Sequence, residues 1–448
     1  MFRFISYIAP AWYFNLKPIV NQGCFASPEY ILTTAISSTL DREYKSKNAR
    51  DLDLSWNAFQ AGLILESPQH AYDIWTVTEI PLVDEYRFIR KNFNFLWCAY
   101  VLILRIFTFH NPLVELMGFL KSLKVKRIRH QVNRMIHQDY EQFESSLLTQ
   151  NPLVSIVIPT LNRYPWLREV FRDLEKQTYR NFEVIVVDQS QPFATSMYEG
   201  WTFPLLFWYQ QEKALWKARN DAIRRAKGDY ILLYDDDSRV DLDWIEQHVK
   251  ALDYFQADIS SGVSISSVGS KVPEHYAHFR WGEQLDTGNV LIRRSVFEQI
   301  GLFDRQFEKM RMGDGEFGLR AYLAGFRNIS NPYAKRLHLK ISEGGLRQMG
   351  SWDAFRSKNV LAPKPIPSVL YLYRKYFGVR AALLAVCFQL PYSVIPYSLK
   401  KSKFLIPISF LIFLFSFPLL AWQLARSWSY STKMVEQGAR IPVLYPHT

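Results

Sequence analysis

The chain has 448 residues, which is longer than one ordinary hydrophobic core and predicts two or three domains. Its 54 lysine and arginine residues outnumber its 42 aspartate and glutamate residues, and the net charge of +12 favours anionic partners such as phosphates or an acidic membrane face. Cys24, Cys98 and Cys387 are odd in number and lack metal-ligand spacing, so they exclude a disulfide framework and a cysteine-based zinc site; we expect buried thiols in a reducing compartment.

Residues 1–150 mix polar turns with apolar and aromatic segments and predict a partly helical region of unknown role. Prolines and Asn15 interrupt the apolar N-terminus and no small-residue cleavage site follows, so we expect no signal peptide. One apolar run, residues 93–109, contains Arg105 and has about 17 residues, whereas a membrane span needs about 20. We therefore expect a buried or interfacial helix there.

A basic segment follows at residues 121–138, KSLKVKRIRHQVNRMIHQ. Its cationic side chains are Lys121, Lys124, Lys126, Arg127, Arg129 and Arg134. Apolar residues recur between them at near-helical intervals. Two interpretations stay open, a basic amphipathic helix on a membrane surface and a solvated connector.

From Asn151 the pattern changes to apolar runs that alternate with helical patterns, which is typical of an α/β domain with a mostly parallel central sheet. Apolar residues spaced i, i+3, i+4 and i+7 from Leu167 to Leu174 predict a helix that covers the sheet. A second helix is expected to end at Gly228. The strands are expected at residues 154–159, 183–188, 203–209 and 230–234.

Acidic residues follow two of these expected strands. Asp188 ends the second, and Asp235, Asp236 and Asp237 follow the fourth. Three adjacent carboxylates repel one another, so they persist where water, a cation or a hydrogen-bonding ligand stabilises them. A solvated turn is the simplest alternative. Ligands of open α/β sheets lie outside the carboxyl ends of the strands, which favours a ligand site here.

The C-terminal part of the chain, residues 361–448, begins with the proline-rich APKPIP and contains two uncharged stretches separated by KKSK. Residues 404–425 would be about 33 Å long as a helix, enough to cross a bilayer core of about 30 Å. Residues 381–399 contain Pro391 and Pro396, so an interfacial or re-entrant helix is as consistent as a span. We expect a hydrophobic, membrane-associated helical region; a buried helical hairpin is the alternative.

Four segments together resemble the family 2 glycosyltransferases, which have a GT-A fold and use nucleotide-sugars. These segments are VSIVIPTLNRYPWLREVFRDLEKQTYRNFEVIVVDQS, KARNDAIRRAKGDYILLYDDDSRV, TGNVLIRRSVFEQIGLFD and MGDGEFGLRAYLAGF. The resemblance covers residues 151–338, and it implies a GT-A domain over residues 151–360 between the N-terminal and C-terminal regions.

The resemblance implies a set of site residues. For the nucleotide-sugar these are Thr160, Arg163, Asp188, Arg219, Asn220, Asp235 and Asp236. A divalent cation, Mg²⁺ or Mn²⁺, would be bound by Asp237 and His338, and Asp314 would act as the general base. For Arg163 and Arg219 a surface or structural role is an equally consistent interpretation, and His338 has the same alternative.

Two further positions qualify this assignment. The small polar loop that holds Gly288 and Asn289 lets the backbone approach a diphosphate or an acceptor, although a turn that needs glycine explains it equally well. Gly313 stands where the family has a glutamate, while Glu316 is expected to support its helix or to pair with a neighbour.

The leading interpretation is a metal-dependent inverting transferase on the cytoplasmic face of a membrane. It would move one sugar per encounter from a nucleotide-sugar to a hydroxyl on a glycan or lipid-linked acceptor, in cell-surface glycan or polysaccharide assembly. The alternatives are a catalytically silent nucleotide-sugar-binding scaffold and a processive polysaccharide synthase. Arg347, Gln348 and Trp352 do not form the Q-x-x-R-W element of such synthases.

Other classes of protein receive less support. A nucleotidyltransferase would need a glycine-rich, lysine-bearing loop after the first strand, and a dinucleotide-binding dehydrogenase would need G-x-G-x-x-G there. Neither pattern is present. The basic residues are not interleaved with a nucleic-acid recognition motif, so we expect no nucleic-acid partner.

Overall fold

A nine-stranded mixed sheet is the centre of the computed structural model, which describes residues 1–33, 40–128, 134–266, 278–283, 285–341, 343–346, 359–393 and 406–445. The strand order is β3-β2-β1-β4-β8-β6-β9-β5, and β7 pairs with β9. The strands are β1 (Val154–Thr160), β2 (Phe182–Asp188), β3 (Leu205–Tyr209), β4 (Tyr230–Tyr234), β5 (Ser238–Val240), β6 (Ile259–Ser266), β7 (Arg280–Trp281), β8 (Asn289–Arg293) and β9 (Asn328–His338).

Helices surround this sheet and make up the N-terminal and C-terminal regions. Those before the sheet are α1 (Ile5–Ile8), α2 (Pro28–Thr33), α3 (Lys47–Ala61), α4 (Leu82–Asn92), α5 (Phe95–Phe107), α6 (Pro112–Ser122) and α7 (Ser146–Gln150). Those between strands are α8 (Tyr164–Glu175), α9 (Leu215–Arg225), α10 (Trp244–Tyr254), α11 (Arg294–Ile300) and α12 (Gly313–Ala324). The C-terminal helices are α13 (Pro367–Tyr376), α14 (Gly378–Ser393) and α15 (Ile406–Gln437).

The four strands expected from the sequence are confirmed as β1 to β4, and these pair in parallel. Every residue of β1 and β2 is buried, as expected for strands covered on both faces. In the described residues the other half of the sheet is mainly antiparallel, because β8 runs against both β4 and β6. The sheet is therefore mixed, with the longest pairings parallel.

The register of the sheet brings the ends of several strands to one edge. Thr160 pairs with Asp188 at the ends of β1 and β2, and Tyr234 at the end of β4 pairs with Asn289 at the start of β8. Loops that leave these positions therefore begin side by side, although their residues are up to about 130 positions apart in the chain.

The N-terminal region packs into the same hydrophobic core as the sheet and its helices. The ring of Phe14 lies edge-on to that of Tyr322 on α12, with 5.1 Å between the centroids, and the Tyr322 hydroxyl donates to the carbonyl oxygen of Leu16 at 2.9 Å. Residues far apart in sequence thus share one core. The domain boundary at residue 150 stays a prediction.

The apolar run at residues 93–109 forms α5, which pairs with α6 as a helical hairpin. Cys98 and Val101 of α5 are buried and Trp97, Tyr100, Leu102 and Leu104 pack partly against the core, whereas Phe95, Leu96, Ile103, Ile106 and Phe107 are exposed, so the helix is buried on one face only. Arg105, the charged residue within the apolar run, does not lie on the exposed surface, because its guanidinium pairs with Glu115 of α6 at 2.7 Å.

Apart from Lys121 and Ser122, which end α6, the basic segment is not an α-helix in its described part, residues 121–128 and 134–138. Helix α6 ends at Ser122. Residues 123 and 124 form a turn, and residues 125–128 have no regular secondary structure. The amphipathic-helix interpretation is therefore wrong for residues 123–128, which form a connector with exposed cationic side chains. Residues 129–133 lie outside the described part.

The C-terminal region contains one described helix that is long and apolar enough to cross a membrane, over Leu411–Gln437 of α15. It extends beyond the expected residues 404–425, and Pro418 lies within it. Residues 381–393 belong to α14, whereas the rest of that stretch and the KKSK sequence lie outside the described residues. Residues 347–358, which include Arg347, Gln348 and Trp352, also lie outside.

The cysteines are only partly as expected. Cys24 and Cys98 are buried, and burial raises the pKa of both thiols, to about 12 for Cys98. Cys387 is exposed on α14, so the expectation of three buried thiols is wrong for this residue. Helix α14 buries Ala382, Ala385, Val386 and Leu390 in the core and presents Leu383 and Cys387 outward.

Candidate active site

The residues 235–237 lie between β4 and β5, and all three carboxylates pair with arginines from other elements. Asp235 accepts from two of these arginines, Arg219 of α9 and Arg336 of β9, each at 2.9 Å. Charge repulsion within the acidic run is therefore offset by cations that the fold brings in from distant parts of the chain. The acidic run is not simply a solvated turn.

Asp236 links the acidic run to the loop after β1. Its carboxylate accepts from the Thr160 hydroxyl at 2.8 Å and from Arg163 at 2.9 Å. Burial raises the pKa of Asp236 to about 6, although the Arg163 guanidinium and the Thr160 hydroxyl act in the opposite direction. The structure thus brings together Thr160, Arg163 and Asp236, as the resemblance implied.

Arg163 has more contacts than its bond to Asp236. It also lies 3.0 Å from a carboxylate oxygen of Asp237, and it donates to the carbonyl oxygens of Ile341 and Glu343. It is therefore not a free surface cation. It connects the loop after β1 with the segment that follows β9.

Asp237 and His338 face each other across the pairing of β5 with β9. Their closest side-chain atoms, Asp237 Oδ1 and His338 Nε2, are 3.3 Å apart. Burial acts to raise the pKa of Asp237, but the hydrogen bond from His338 and the nearby positive charges outweigh it and the pKa is lowered. Asp237 is therefore held as a carboxylate.

Asp235, Asp237 and His338 form a group suited to a divalent cation. Each offers one ligand atom, and these atoms lie within 4.8 Å of one another. Two carboxylates and an imidazole are a ligand set that accommodates Mn²⁺ or Mg²⁺. A carboxylate oxygen has two lone pairs, so the arginine contacts of Asp235 leave acceptor capacity for an ion.

Asp188 is fully buried at the end of β2 and is surrounded by hydrogen-bond donors. It accepts from the hydroxyls of Tyr164 and Tyr198 at 2.7 Å each, and from the backbone N–H of Ser190 at 2.8 Å. These contacts fix the carboxylate at the same edge of the sheet as Thr160, its neighbour across the β1–β2 pairing. The two tyrosines were not among the expected site residues.

Arg336 is a central residue of the site that the sequence did not indicate. Its side chain is 1% exposed and pairs with Asp235 at 2.9 Å and with Asp286 at 2.8 Å, and it donates to the Ser264 hydroxyl at 3.0 Å. It thus joins the acidic run to the loop that precedes β8. Because no recognisable sequence motif surrounds Arg336, the sequence alone does not indicate that it links the acidic run to this loop.

The backbone at Gly288 leaves the space through which Arg336 reaches Asp235. A Cβ atom at this position would lie 1.7 Å from an Arg336 guanidinium nitrogen and 2.3 Å from an Asp235 carboxylate oxygen. Its neighbour Thr287 accepts two hydrogen bonds from Arg219, through its hydroxyl at 2.7 Å and its carbonyl oxygen at 2.8 Å. Gly288 is needed here for close approach rather than for an unusual backbone angle.

Two other expected site residues have side chains engaged inside the protein. Asn289 is fully buried; its amide donates to the carbonyl oxygens of Val263 and Ala334, and its oxygen accepts from Trp244 and contacts His248. Asn220 exchanges two hydrogen bonds of 2.9 Å with the backbone of Phe303. In this structure both amides position the surrounding loops, and their contact with a ligand stays a prediction.

Asp314 lies in the first turn of α12, half-buried, and its carboxylate accepts from the backbone N–H of Gly315 at 2.8 Å. Tyr13, from the N-terminal region, donates its hydroxyl to the carbonyl oxygen of Gly315. Burial raises the pKa of Tyr13, and the nearby Asp314 and Glu316 carboxylates raise it further. A residue outside the GT-A segment therefore borders the proposed base.

Trp216 connects the two parts of the site. The Arg219 guanidinium lies 5.4 Å from the centroid of the Trp216 ring, and the ring also fills the space beside Gly313. A Cβ atom at Gly313 would lie 2.5 Å from ring carbons of Trp216. The glycine that replaces the family's glutamate is thus matched by a tryptophan.

Glu316 has the supporting role expected of it. It is fully buried and pairs with Arg320 at 3.1 Å and with Lys375 of α13 at 3.3 Å, and it accepts from the Tyr376 hydroxyl. Burial acts to raise its pKa, but Arg320 and the other donors outweigh this and the pKa is lowered. It therefore ties α12 to the C-terminal helices.

Residues 155–320 match the family described as glycosyl transferase family 2. This part of the chain is a family 2 glycosyl transferase domain. It contains β1 to β8, the acidic run and Asp314, whereas Arg336 and His338 follow it on β9.

Two curated relatives share this domain. Glycosyltransferase GlyA of Streptococcus pneumoniae is 23% identical over 36% of this chain and 22% of its own length. O-antigen biosynthesis protein RfbC of Myxococcus xanthus is 26% identical over 42% of this chain and 17% of its own length. The chain thus spans about a fifth of each of these relatives.

A solved structure of similar extent is the mannosyltransferase PcManGT from Pyrobaculum calidifontis, in complex with GDP-Man and Mn²⁺. It is 17% identical, and the alignment covers 67% of this chain and 92% of that one with a TM-score of 0.43.

The first prediction concerns Gly288 of the transferase domain. The new methyl group of Gly288→Ala should displace Arg336 or Asp235, and the other contacts of these two residues resist such a shift. The substitution should therefore lower the free energy of unfolding by about 1.5–3 kcal/mol, the usual cost of a lost charge-assisted hydrogen bond. Chemical denaturation with a two-state fit measures this change.

Gly318→Ala is the matched control for this substitution. A Cβ atom at Gly318, in the middle of α12, would be at an ordinary distance of 3.5 Å from Leu285, so the helix should gain up to about 1 kcal/mol. Equal stabilities for the two variants would contradict the close-approach role of Gly288.

Proposed function

We propose that the chain is a metal-dependent inverting glycosyltransferase that moves a sugar from a nucleotide-sugar to a hydroxyl acceptor. The observation that carries the proposal is one continuous arrangement within a family 2 domain. The acidic run contacts Arg219, Arg219 lies against Trp216, and Trp216 packs beside Gly313, which precedes Asp314. A donor-binding group and a candidate base are thus held by shared contacts.

The nucleoside part of the donor would lie at the ends of β1 and β2. Asp188, Thr160 and Asp236 are already fixed there by hydrogen bonds and offer carboxylate and hydroxyl oxygens to ribose or base. Arg163 would orient these groups through its contacts with Asp236 and Asp237. Because they are rigid before the donor arrives, little side-chain entropy is lost on binding.

The donor diphosphate would lie beside Asp235, Asp237 and His338, the three residues that would hold Mn²⁺ or Mg²⁺. A bound cation supplies stabilisation of the negative charge that develops on the leaving diphosphate. Arg219 and Arg336 hold Asp235 in place, and Arg163 and His338 do the same for Asp237.

Asp314 would accept the proton of the acceptor hydroxyl. The acceptor oxygen forms a bond to the anomeric carbon while the bond from that carbon to the diphosphate oxygen breaks on the opposite face. The nucleoside diphosphate leaves with the bonding electron pair, and the proton passes to an Asp314 carboxylate oxygen. A single displacement of this kind inverts the anomeric configuration.

For the acceptor we propose a glycan or a lipid-linked sugar in the assembly of a cell-surface polysaccharide, with one sugar added per encounter. The relative named for O-antigen biosynthesis supports this acceptor class. A catalytically silent scaffold is disfavoured by the joint presence of the acidic run and Asp314, which the contacts of Arg219, Trp216 and Gly313 connect.

We further propose that the chain is held at the cytoplasmic face of a membrane through α15, whose segment Leu411–Gln437 has the length and composition of a span and is largely exposed. The full-length chain should therefore appear in the membrane fraction and need detergent for extraction. Recovery in the soluble fraction without detergent would contradict this attachment.

Removal of Asp237 or His338, one at a time, should show how much each side chain contributes to the affinity for Mn²⁺. Asp237→Ala removes a charged ligand and should abolish measurable Mn²⁺ binding, whereas His338→Ala removes a neutral one and should weaken it by about tenfold, or about 1.4 kcal/mol. Electron paramagnetic resonance titration of Mn²⁺ measures both. Asp139→Ala, at an exposed aspartate outside the site, is the control. Wild-type affinity in the His338 variant would refute that ligand.

Asp314→Asn keeps the size of the side chain but removes the charge that accepts the proton. Transfer should fall by roughly 10²–10⁴, while donor and Mn²⁺ binding stay close to wild type. Transfer assays over a panel of sugar nucleotides and acceptors, with Asp139→Asn as control, measure the rate. A wild-type rate, or a product that retains the donor's configuration, would show this mechanism to be wrong.

A further inference from the structure

The hairpin of α5 and α6, outside the transferase domain, presents an unusually apolar surface. Phe109 at its tip is 99% exposed, Phe107 is 76% exposed and Leu113 is 71% exposed, and Leu96, Met117 and Leu120 are also more than half exposed. Soluble proteins seldom expose so many large apolar side chains together. This surface needs a covering partner.

Charges within the hairpin are turned away from that surface. Between residues 95 and 120 the only Asp, Glu, Lys or Arg residues are Arg105 and Glu115, and they pair with each other at 2.7 Å. Glu115 also accepts from the Tyr86 hydroxyl at 2.8 Å. The arrangement keeps an ion pair on the inner side and an uncharged face outside.

Backbone groups at the tip of the hairpin are satisfied within the chain. The N–H groups of Thr108, Phe109 and His110 donate to carbonyl oxygens in the last turn of α5. The Asn111 side chain accepts from the N–H groups of Leu113 and Val114 at the start of α6. Internal satisfaction of this kind is what an apolar environment demands of a polypeptide backbone.

A cationic connector begins where the hairpin ends. Lys121, Lys124, Lys126 and Arg127 are exposed, and no acidic residue occurs in the sequence between Glu115 and Asp139. An apolar face followed by exposed cations is complementary to a bilayer that carries anionic lipid, and each cation near such a surface contributes about 1 kcal/mol.

The hairpin also adjoins the C-terminal helices. The rings of Trp97 and Tyr100 on α5 lie 4.5 Å and 5.9 Å from that of Phe388 on α14, and α14 packs on α15. The apolar surface of the hairpin is therefore connected to the helix that has the properties of a membrane span.

We propose that the α5–α6 hairpin is a second membrane contact, which inserts its tip into the interfacial layer of an anionic bilayer without crossing it. At 13 and 11 residues, α5 and α6 are too short to span a bilayer core of about 30 Å. This contact does not depend on the transferase activity.

Fluorescence quenching on the full-length chain tests the insertion directly. An environment-sensitive fluorophore is attached at Phe109→Cys in a Cys387→Ser background, since Cys24 and Cys98 are buried. The protein is reconstituted into phosphatidylethanolamine vesicles with phosphatidylglycerol. Lipids with a nitroxide on the acyl chain should quench this label, and aqueous iodide should not. Leu242→Cys, at an exposed residue of the transferase domain, is the control and should show the reverse.

Two other outcomes would overturn the proposal. Iodide quenching at position 109 equal to that of the control would show that the hairpin faces water. Protection from both quenchers would show that a second copy or another protein covers the surface.

A charge test separates the lipid requirement from simple apolar insertion. Substitution of Lys121, Lys124, Lys126 and Arg127 by Gln should reduce quenching by the lipid nitroxide, and so should omission of phosphatidylglycerol. Equal quenching under all these conditions would overturn the assignment to an anionic surface. Circular dichroism and thermal melting confirm that each variant is folded.

Discussion

The arginine contacts of the acidic run at residues 235–237 are the constraint on which the rest of the site depends. Three adjacent carboxylates at the end of a buried strand would repel one another strongly without compensation. Arg163 comes from the loop after β1, Arg219 from α9 and Arg336 from β9. The charges are balanced only when all three elements are assembled, so formation of the site is coupled to formation of the sheet.

The same network explains why the loop before β8 is small. Arg336 must pass Gly288 to reach Asp235, and Thr287 accepts from Arg219 on the other side. Asn289 then anchors the start of β8 through four internal contacts. Three consecutive residues therefore have three different roles: Thr287 accepts from Arg219, Gly288 leaves room for Arg336, and Asn289 anchors β8.

Much of the transferase domain could be predicted from the sequence, because its strands are continuous apolar runs and its motifs have family spacing. The acidic run, Asp188, Thr160 and Arg163 converge as that resemblance implied. Arg336 and Tyr198 could not be predicted, since their roles arise from strand pairing between distant residues and leave no local pattern. Residues 123–128 are not helical although their apolar residues recur at near-helical intervals, because periodicity alone does not stabilise a helix whose apolar face is not covered, and Leu123 and Ile128 are exposed.

The transferase domain depends on both flanking regions in a way that composition does not reveal. Tyr13 reaches Gly315 from the N-terminal side, and Lys375 and Tyr376 reach the buried Glu316 from the C-terminal side. Helix α12 is therefore held by both flanks next to Asp314. An unpaired Glu316 would be a buried charge, so the C-terminal helices stabilise the helix that carries the candidate base.

Helix α15 is fastened to the rest of the protein along its C-terminal half and just beyond its C-terminus. Ser427 donates to the carbonyl oxygen of Pro365 ahead of α13, and beyond the helix Gln306 donates to Gly438 while the N–H of Leu302 donates to Pro442. A helix secured in this way cannot act as a flexible tether. With α15 in the bilayer, as proposed, these contacts would set the height and tilt of the candidate active site above the membrane, so that a membrane-bound acceptor would meet it at a constant distance and from a single direction.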